Sequence, residues 1–585
     1  MCGIFGVTND KHAPKTILAG LKRLEYRGYD SWGIVVKGKN KLAIEKHTGK
    51  ISKSKTILKP SSLGVGHTRW ATHGGVTDFN SHPHLDCSGK LAIVHNGIID
   101  NWQELQKKIA GHKIRSQTDS EIAAHLIEAD LKKENDLFKS FTQVFSKIQG
   151  YNALIAIHND FPYLVAGKTG SPLVIGILKD NNLIASDVSS LLPLTQDVVF
   201  VEDGQIAKIS SNKVELFDSK TLKKIPVKIS HINWSAANAT KGNFQHFMLK
   251  EIHEQPQIIS GLLKTKNYEI EHLAKQIKKS KNIYAVACGS AAYAALTGQY
   301  FFSRIAKLQM NAAIGSEFYY HTDFLSPDSL CIALSQSGET IDTLQSVEHA
   351  RKKDSKIISL VNVPGSSLER MSDQTILLDA GPEKAVASTK AFLAKVTLLL
   401  MAAFYLDGGP QKAATDLNKS ILAIKTILKP EYGKKIKFLA RKISKRKNLF
   451  VLGRGQSYPA ALEIALKIKE ISYLHAEGLP AGELKHGPIA LIEKGIPCII
   501  LDPNDETSAD VLSSATEVKA RGAFIIGISV KDNPVFDFWL PVKDSGQATV
   551  LPIIVVGQLL AYYLALANKT DPDMPRNLAK SVTVK

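Results

Sequence analysis

Two segments of this chain begin alike, and they constrain its fold more than any other feature. Asn282-Ile283-Tyr284-Ala285-Val286-Ala287 runs into Cys288-Gly289-Ser290. Asn448-Leu449-Phe450-Val451-Leu452 runs into Gly453-Arg454-Gly455-Gln456-Ser457. Each reads as a buried strand, a glycine turn and a helix, the βα unit of an open parallel sheet. More apolar runs follow: Leu330–Leu334, Lys356–Val361 and Gln374–Leu378 after the first, Pro497–Leu501 and Ala523–Ser529 after the second. The repeat predicts two α/β doubly wound parallel-sheet domains, over residues 270–414 and 440–575.

The part ahead of the repeat reads differently. Over residues 2–225, short β-rich runs alternate with loops, at Ile4–Val7, Gly33–Val36, Leu63–His67, Leu91–His95, Leu154–His158, Tyr163–Ala166 and Leu183–Ser186. Helical periodicity falls near Pro14–Glu25 and Ser120–Ala129, so an α+β domain is expected. Residues 226–245 lose any pattern and read as a linker, and His246 to Pro256 as a helix start with a proline stop. Residues 576–585 form a C-terminal tail. A chain of 585 residues exceeds one core, consistent with several domains.

Composition excludes some classes of function. Five cysteines (Cys2, Cys87, Cys288, Cys331, Cys498) without a C-x-x-C pair argue against a disulfide framework and a zinc site, so no metal is expected. They fit a reducing cytoplasm. The start lacks a basic stretch followed by an apolar one, so no signal peptide is expected. Phe392 to Leu406 is short and contains Lys395; Val550 to Ala567 holds Pro552 and Gln558 and lacks basic flanks. Both read as core helices, with no membrane partner. The net charge of +19 is spread over scattered lysines, and the dense run Lys434 to Lys447 has the spacing of a surface helix. It lacks interleaved aromatics, so nucleic acid is not an expected partner, although the charge favours anionic substrates.

Cys2 stands behind a removable methionine. With Met1 gone, it carries a thiol beside a free α-amine that titrates at about 8, nucleophile and base on one residue. The same domain holds four dense polar segments. Asn96-Gly97 at a strand end can supply side-chain and backbone donors to an oxyanion, or form a hairpin turn. Arg69 can grip a carboxylate bidentately, or be a surface arginine. Asp119 can pair with an ammonium, or cap a helix.

In the first repeat copy, Leu334 is followed by Ser335-Gln336-Ser337-Gly338-Glu339-Thr340. Hydroxyls and a glycine between a strand and a helix start suit an anion such as phosphate. The second copy reads Asp502-Pro503-Asn504-Asp505-Glu506-Thr507 there, and its three carboxylates would repel one. The second copy instead carries Lys467 and Glu470, and then His486. A carboxylate can move a proton between adjacent sugar carbons, and a histidine can open a sugar ring. Spacing alone favours an exposed helix ion pair for Lys467 and Glu470. Lys580 in the tail could form an imine with a ketone if the tail docks.

Taken in order, MCGIFG, LEYRGYDS, GHTRWATHG, VHNGIIDN and TDSE resemble the class II glutamine amidotransferase family. The resemblance implies an N-terminal nucleophile, four-layer αββα glutaminase domain. It implies Cys2 as nucleophile, Asn96 and Gly97 as oxyanion hole, and Arg69, Thr72, His73 and Asp119 as glutamine-binding residues. Trp70 matches the residue that gates ammonia passage. Trp32 departs from the family, which usually has a small residue after RGYDS.

LSQSGET, with CGS before it and VPGSSLER after it, resembles the sugar isomerase domains. That implies phosphosugar contacts from Ser290, Ser335, Gln336, Ser337 and Thr340, and a sugar contact at Val386. Ala291 lacks a hydroxyl that the family often has, and Lys384-Ala385 departs from its pattern. With HFMLKEIHEQP, KIKEISYLHAE, AGELKHGP and PRNLAKSVTV added, the whole chain resembles the isomerising glutamine–fructose-6-phosphate aminotransferase family.

The resemblance implies L-glutamine and D-fructose 6-phosphate as substrates, and D-glucosamine 6-phosphate and L-glutamate as products. It implies Glu470 as C1/C2 proton shuttle, Lys467 as its support, Lys580 as imine former and His486 as ring opener. His486 would come from the other subunit of a homodimer, and no cofactor is implied. Two alternatives stay open: a hydrolytic glutaminase joined to an isomerase or deaminase that uses free ammonia, and a phosphosugar sensor.

Overall fold

The structure is a computed structural model that describes residues 2–232, 234 and 240–583. Part of the expected linker, at 233 and 235–239, lies outside the described residues, as do Met1 and the last two positions. The chain divides into two compact units: Met1–Ala239 with Gly365–Ser367 and Ala579–Lys585, and Thr240–Pro364 with Leu368–Leu578.

The first unit is built on two antiparallel sheets. The larger has eight strands, with Gly3–Thr8 between Asn182–Ala185 and Leu63–Arg69. The smaller has seven, with Leu91–Gly97 paired to Asn152–His158. Side chains alternate across each strand, which sorts them into separate cores. Ile4 packs between the sheets with Val35, Val65, Val94 and Ile155. Its neighbour Phe5 faces the opposite way, against Ile17 and Leu21 of the helix Ala13–Arg23. On the other side, helices Ser120–Glu134 and Leu137–Phe145 cover the smaller sheet through Ile122, Ile127 and Phe141. The layers are therefore αββα. Burial on both faces explains why Gly3–Thr8 has no exposed strand position. Gly20 brings helix and strand together: a Cβ there would lie 2.3 Å from the Phe5 ring.

The second unit holds two five-stranded parallel sheets. In the first copy the spatial order is Asn311–Ile314, Asn282–Ala287, Ser329–Ser335, Lys356–Val361, Gln374–Leu377. In the second it is His475–Pro480, Asn448–Gly453, Pro497–Asp502, Phe524–Ser529, Phe538–Pro541. Each copy thus reverses direction between its first and third strands in chain order, which opens a crevice at their C-terminal ends. Gly289 and Gly455 stand at matching turns with φ of 54° and 58°, a left-handed conformation that favours glycine.

Helix Val550–Ala567 is apolar and long enough to cross a membrane by length and composition, but it lies mostly inside the core beside Ile464 and Ile468. The basic run lies in helix Pro430–Ile443, which buries Ile436, Leu439, Ala440 and Ile443. One expectation fails: Pro256 does not stop its helix, which runs Phe247–Thr265. A proline inside a helix leaves the carbonyl four residues earlier without its donor. Here that carbonyl belongs to Ile252, and the Gln255 side chain donates to it at 3.1 Å.

Candidate active site

The first unit gathers its polar motifs around Cys2. Cys2, Trp70, Thr72, Asn96 and Gly97 line one cavity, joined by Arg27. The thiol accepts from the Trp70 amide at 3.4 Å. The start of the chain is anchored next to it: Ile4 N donates to Ser186 Oγ at 2.8 Å, and Arg27 Nε to the Cys2 carbonyl at 3.2 Å. Asn96 Nδ2 donates to Ser186 Oγ at 2.8 Å and to the Cys2 carbonyl at 3.2 Å.

Asn96-Gly97 ends a strand and does not form a hairpin turn. Gly97 has φ of 133°, and a Cβ there would lie 2.1 Å from the Tyr151 carbonyl, so only glycine fits. Arg69 is buried and is no surface arginine. Its guanidinium donates to the Gly75 and Gly74 carbonyls at 3.1 and 3.2 Å and also to that of His73. Burial lowers its pKa, against the opposing charges of Cys2, Asp30 and Asp119. Asp119 occupies the N-cap position of Ser120–Glu134, yet its side chain makes no cap bond. It accepts from Ile99 N at 2.7 Å instead. Thr72 is exposed and His73 half-buried in the loop that Arg69 holds. Trp32, the departure noted in the sequence, is buried with its ring 4.6 Å from His47.

Beneath this cavity lies a stack of buried histidines. His67 and His82 rings stack at 4.2 Å, and His84 meets His82 edge-on at 4.4 Å. His95 links Ser120 Oγ and Asn152 Oδ1, both at 2.8 Å. Burial disfavours the charged ring and pushes His67 down to about 3, with His82, His84 and His95 also lowered. His67 Nε2 meets the His95 carbonyl at 3.0 Å and His95 N donates to His82 Nδ1 at 3.3 Å, which ties the stack to the strand that carries Asn96.

In the second unit, the loops after the first and third strands of the first copy face each other across the crevice. Ser335 Oγ accepts from Gly338 N at 2.9 Å and meets Thr340 Oγ1 at 3.1 Å; Ser337 Oγ accepts from Glu339 N at 3.1 Å. Thr340 precedes helix Ile341–Arg351 without a side-chain cap bond. Gln336 Oε1 is buried with no partner among the described residues. Together these make a hydroxyl-rich nest at a helix N-terminus, which suits an anion.

Ser290, at the start of helix Ser290–Phe301, reaches across to the second copy: Lys467 Nζ donates to its Oγ at 3.0 Å. Lys467 also pairs with Glu470 and lies 3.5 Å from Glu463. The exposed Lys467–Glu470 pair favoured on spacing alone is overturned: the pair forms, but Lys467 is 1% and Glu470 20% exposed. Burial works to lower the Lys467 ammonium, but the carboxylates of Glu463 and Glu470 outweigh it and hold the value above that of an ordinary lysine. Burial lifts Glu463 to about 7, with Lys467 opposing. Glu463 was missed in the sequence, although its signal was there: it sits four residues before Lys467 on one helix face.

Val386 lies in a segment pinned from several sides. Its amide donates to the Asp573 carbonyl at 3.0 Å. The Lys384 and Ala385 amides donate to buried Glu251 at 2.6 and 3.2 Å. His486 ends the short helix Ala481–His486 and is exposed. The tail is ordered where it leaves the second unit: Arg576 N donates to Tyr473 Oη at 2.7 Å. Lys580 lies in the segment Ala579–Lys585, which groups with the first unit.

Comparison with known proteins matches the same regions. The glutamine amidotransferase domain model covers residues 67–193, and the SIS domain model covers 276–405 and 442–537. The chain is 41% identical, over the full length of both, to a Fusobacterium nucleatum protein named glutamine–fructose-6-phosphate aminotransferase [isomerizing]. A Pyrococcus horikoshii protein of the same name is also 41% identical over the full length of both. Among solved structures, the C-terminal domain of glucosamine-fructose-6-phosphate aminotransferase from Francisella tularensis aligns with 57% of this chain and all of its own, at 35% identity and a TM-score of 0.51.

Proposed function

This chain belongs to the isomerising glutamine–fructose-6-phosphate aminotransferase family, and from that premise we propose that it moves the amide nitrogen of L-glutamine onto D-fructose 6-phosphate. The products are D-glucosamine 6-phosphate and L-glutamate. The observation that carries this reading is the presence, in one chain, of a thiol cavity bordered by Asn96 and Gly97, a hydroxyl nest at Ser335–Thr340, and a carboxylate–lysine cluster bonded to Ser290.

In the glutaminase half, removal of Met1 frees the Cys2 amine to take the thiol proton. The thiolate attacks the side-chain amide carbon. A C–S bond forms, the C–N bond breaks, ammonia leaves, and water releases glutamate from the thioester. Asn96 Nδ2, oriented by Ser186, and the Gly97 amide hold the developing oxyanion. Arg69 takes the glutamine carboxylate in exchange for loop carbonyls, Asp119 takes the ammonium, and Thr72 and His73 border the substrate. Trp70, bonded through its amide to the thiol, gates the ammonia.

In the sugar half, Ser335, Gln336, Ser337 and Thr340 hold the phosphate, while Ser290 and the Val386 segment contact the sugar. Lys580 forms an imine with the C2 ketone. Glu470 carries the proton from C1 to C2, and Lys467, paired with it, keeps it placed. His486 opens the ring from the other subunit of a homodimer, a role that its exposure supports. Five unpaired cysteines support a cytoplasmic setting.

The test is nitrogen transfer with [amide-15N]glutamine in the presence of unlabelled ammonium. Labelled glucosamine 6-phosphate is expected, and an unlabelled product overturns the reading. Mass spectrometry of the mature protein checks the N-terminus: retained Met1 in an active enzyme overturns the amine's role.

A further inference from the structure

The smaller sheet of the first unit carries a cluster that the proposed reaction does not use. Cys87 sits in the turn between strands His84–Leu85 and Leu91–Gly97. His112 follows the short turn Lys107–Ile109, and His125 and Glu128 project from helix Ser120–Glu134. Their donor atoms all lie within 4.8 Å of one another. Cys87 Sγ is 3.6 Å from His112 Nδ1 and 3.6 Å from His125 Nδ1. Glu128 Oε2 is 3.0 Å from His112 Nδ1 and 3.3 Å from His125 Nδ1.

These four separations match edges of a coordination tetrahedron. An ion holding sulfur at ~2.3 Å and imidazole nitrogen or carboxylate oxygen at ~2.0 Å sets S···N edges of about 3.6 Å and N···O edges of about 3.3 Å. We propose that Cys87, His112, His125 and Glu128 form a structural zinc site.

The donor set selects the metal class. One thiolate, two imidazoles and one carboxylate in a tetrahedron suit Zn²⁺. The thiolate and carboxylate cancel its two charges, so a largely buried site stays neutral. Binding forms one Zn–S, two Zn–N and one Zn–O bond, and the thiol proton leaves to solvent. The surroundings support the ligands. Glu128 Oε1 accepts from Lys132 Nζ at 3.0 Å, and Oε2, which also accepts from Cys87 N at 3.0 Å, turns toward the two histidines. His125 Nε2 lies 3.5 Å from Glu121 Oε1, and Glu121 itself accepts from the Arg115 and Ser116 amides. His125 Nε2 makes no hydrogen bond among the described residues, and a carboxylate at this nitrogen is the group that orients a metal-bound ring. His125 and Glu128 are buried and Cys87 is exposed, which gives the ion a path in.

Four protein ligands leave no open position, so the ion serves as a staple rather than a catalyst. It would fasten the turn at Cys87 and the segment at His112 to the helix that starts beside Asp119. The strand Leu91–Gly97, which begins next to the staple, ends at Asn96 and Gly97.

The experiment uses the full chain, stripped of metal and titrated with Zn²⁺ or Co²⁺ alone. One equivalent of Zn²⁺ per chain is expected, with a higher melting temperature. Co²⁺ is expected to show the thiolate charge-transfer band and the intense visible bands of a tetrahedral site. Cys87→Ser, at an exposed position, should abolish the charge-transfer band, and His125→Ala should abolish stoichiometric uptake. Glu121→Gln should weaken zinc by about 10–100-fold. The proposal is overturned if no equivalent binds, if Cys87→Ser leaves the cobalt spectrum unchanged, or if the signal disappears in Cys2→Ala instead. Should His125→Ala fail to fold, Cys87→Ser decides alone.

Discussion

After its third strand, the first copy of the repeated sheet carries Ser335–Thr340, and the second carries Asp502–Thr507. The backbone setting is the same, a strand end leading to a helix N-terminus where anions are favoured. In the first copy, hydroxyls face one another around the loop. In the second, carboxylates fill it. Asp502 accepts from Asn504 N at 2.9 Å and from Ser508 Oγ, and Asp505 accepts from Thr507 N at 2.8 Å. Arg304, from the first copy, closes over Asp505 at 3.3 Å and pairs with Glu506. In the second copy the loop's negative charge is the protein's own, and Arg304 pairs with it. What it contributes instead is the helix bearing Glu463, Lys467 and Glu470. The two copies thus carry different side chains at equivalent places in the sheet.

The strongest challenge to this division of labour is Lys467→Ala. Removing the cation between two carboxylates is expected to cost about 3–5 kcal/mol of stability, read as a large drop in melting temperature, together with loss of aminosugar synthesis. A melting temperature close to that of the parent would mean that the cluster is not compensated as described. Next is Ser337→Asp, which copies the second loop's acid into the first. It should raise KM for fructose 6-phosphate about a hundredfold, or ~2.7 kcal/mol, and leave glutamine hydrolysis intact; an unchanged KM would remove the phosphate from that loop. Arg304→Ala uncovers the filled loop and should cost ~1 kcal/mol with KM unaltered. If phosphosugar affinity fell in step, both loops would be in use.

The smallest effect concerns pH. Burial raises Glu463 to about 7 from its ordinary 4.5. A carboxyl raised in the folded state keeps a proton that the unfolded chain has released. Its stabilising contribution is therefore complete below about 4.5 and lost as pH rises through about 7. Glu463→Gln should flatten that decline in melting temperature between pH 5 and 8, and parallel profiles would refute the assignment.

Much of this was legible in the chain. The βα repeat predicted both parallel sheets because strands buried on both faces are continuous apolar runs. The acids in the second loop were readable as such. Other elements were not. Helix Leu137–Phe145 went unread although Asp136 caps it, accepting from Phe138 N at 2.9 Å and Lys139 N at 3.2 Å. Strands Val174–Ile177 and Asp197–Phe200 are four residues each, too short for periodicity to register. Spacing reads Pro256 as a stop in Phe247–Thr265, because the side-chain donor that satisfies the Ile252 carbonyl is a matter of rotamer and packing.

By itself, the sequence determined which segments are strands with glycine turns, which of the two loops carries hydroxyls and which carboxylates, and the order of the motifs that follow Cys2. These follow from local conformational preference and from the sign of charge, and both are written in neighbouring residues. The tertiary structure alone decided that Lys467 is buried against Ser290, that Arg304 seals the other copy's acids, and that Asp119 turns from its helix toward Ile99. It also decided that Cys87, His112, His125 and Glu128 converge where the spacing of the cysteines argued against zinc. Burial and convergence depend on distances between residues far apart in the chain, and only packing sets those distances.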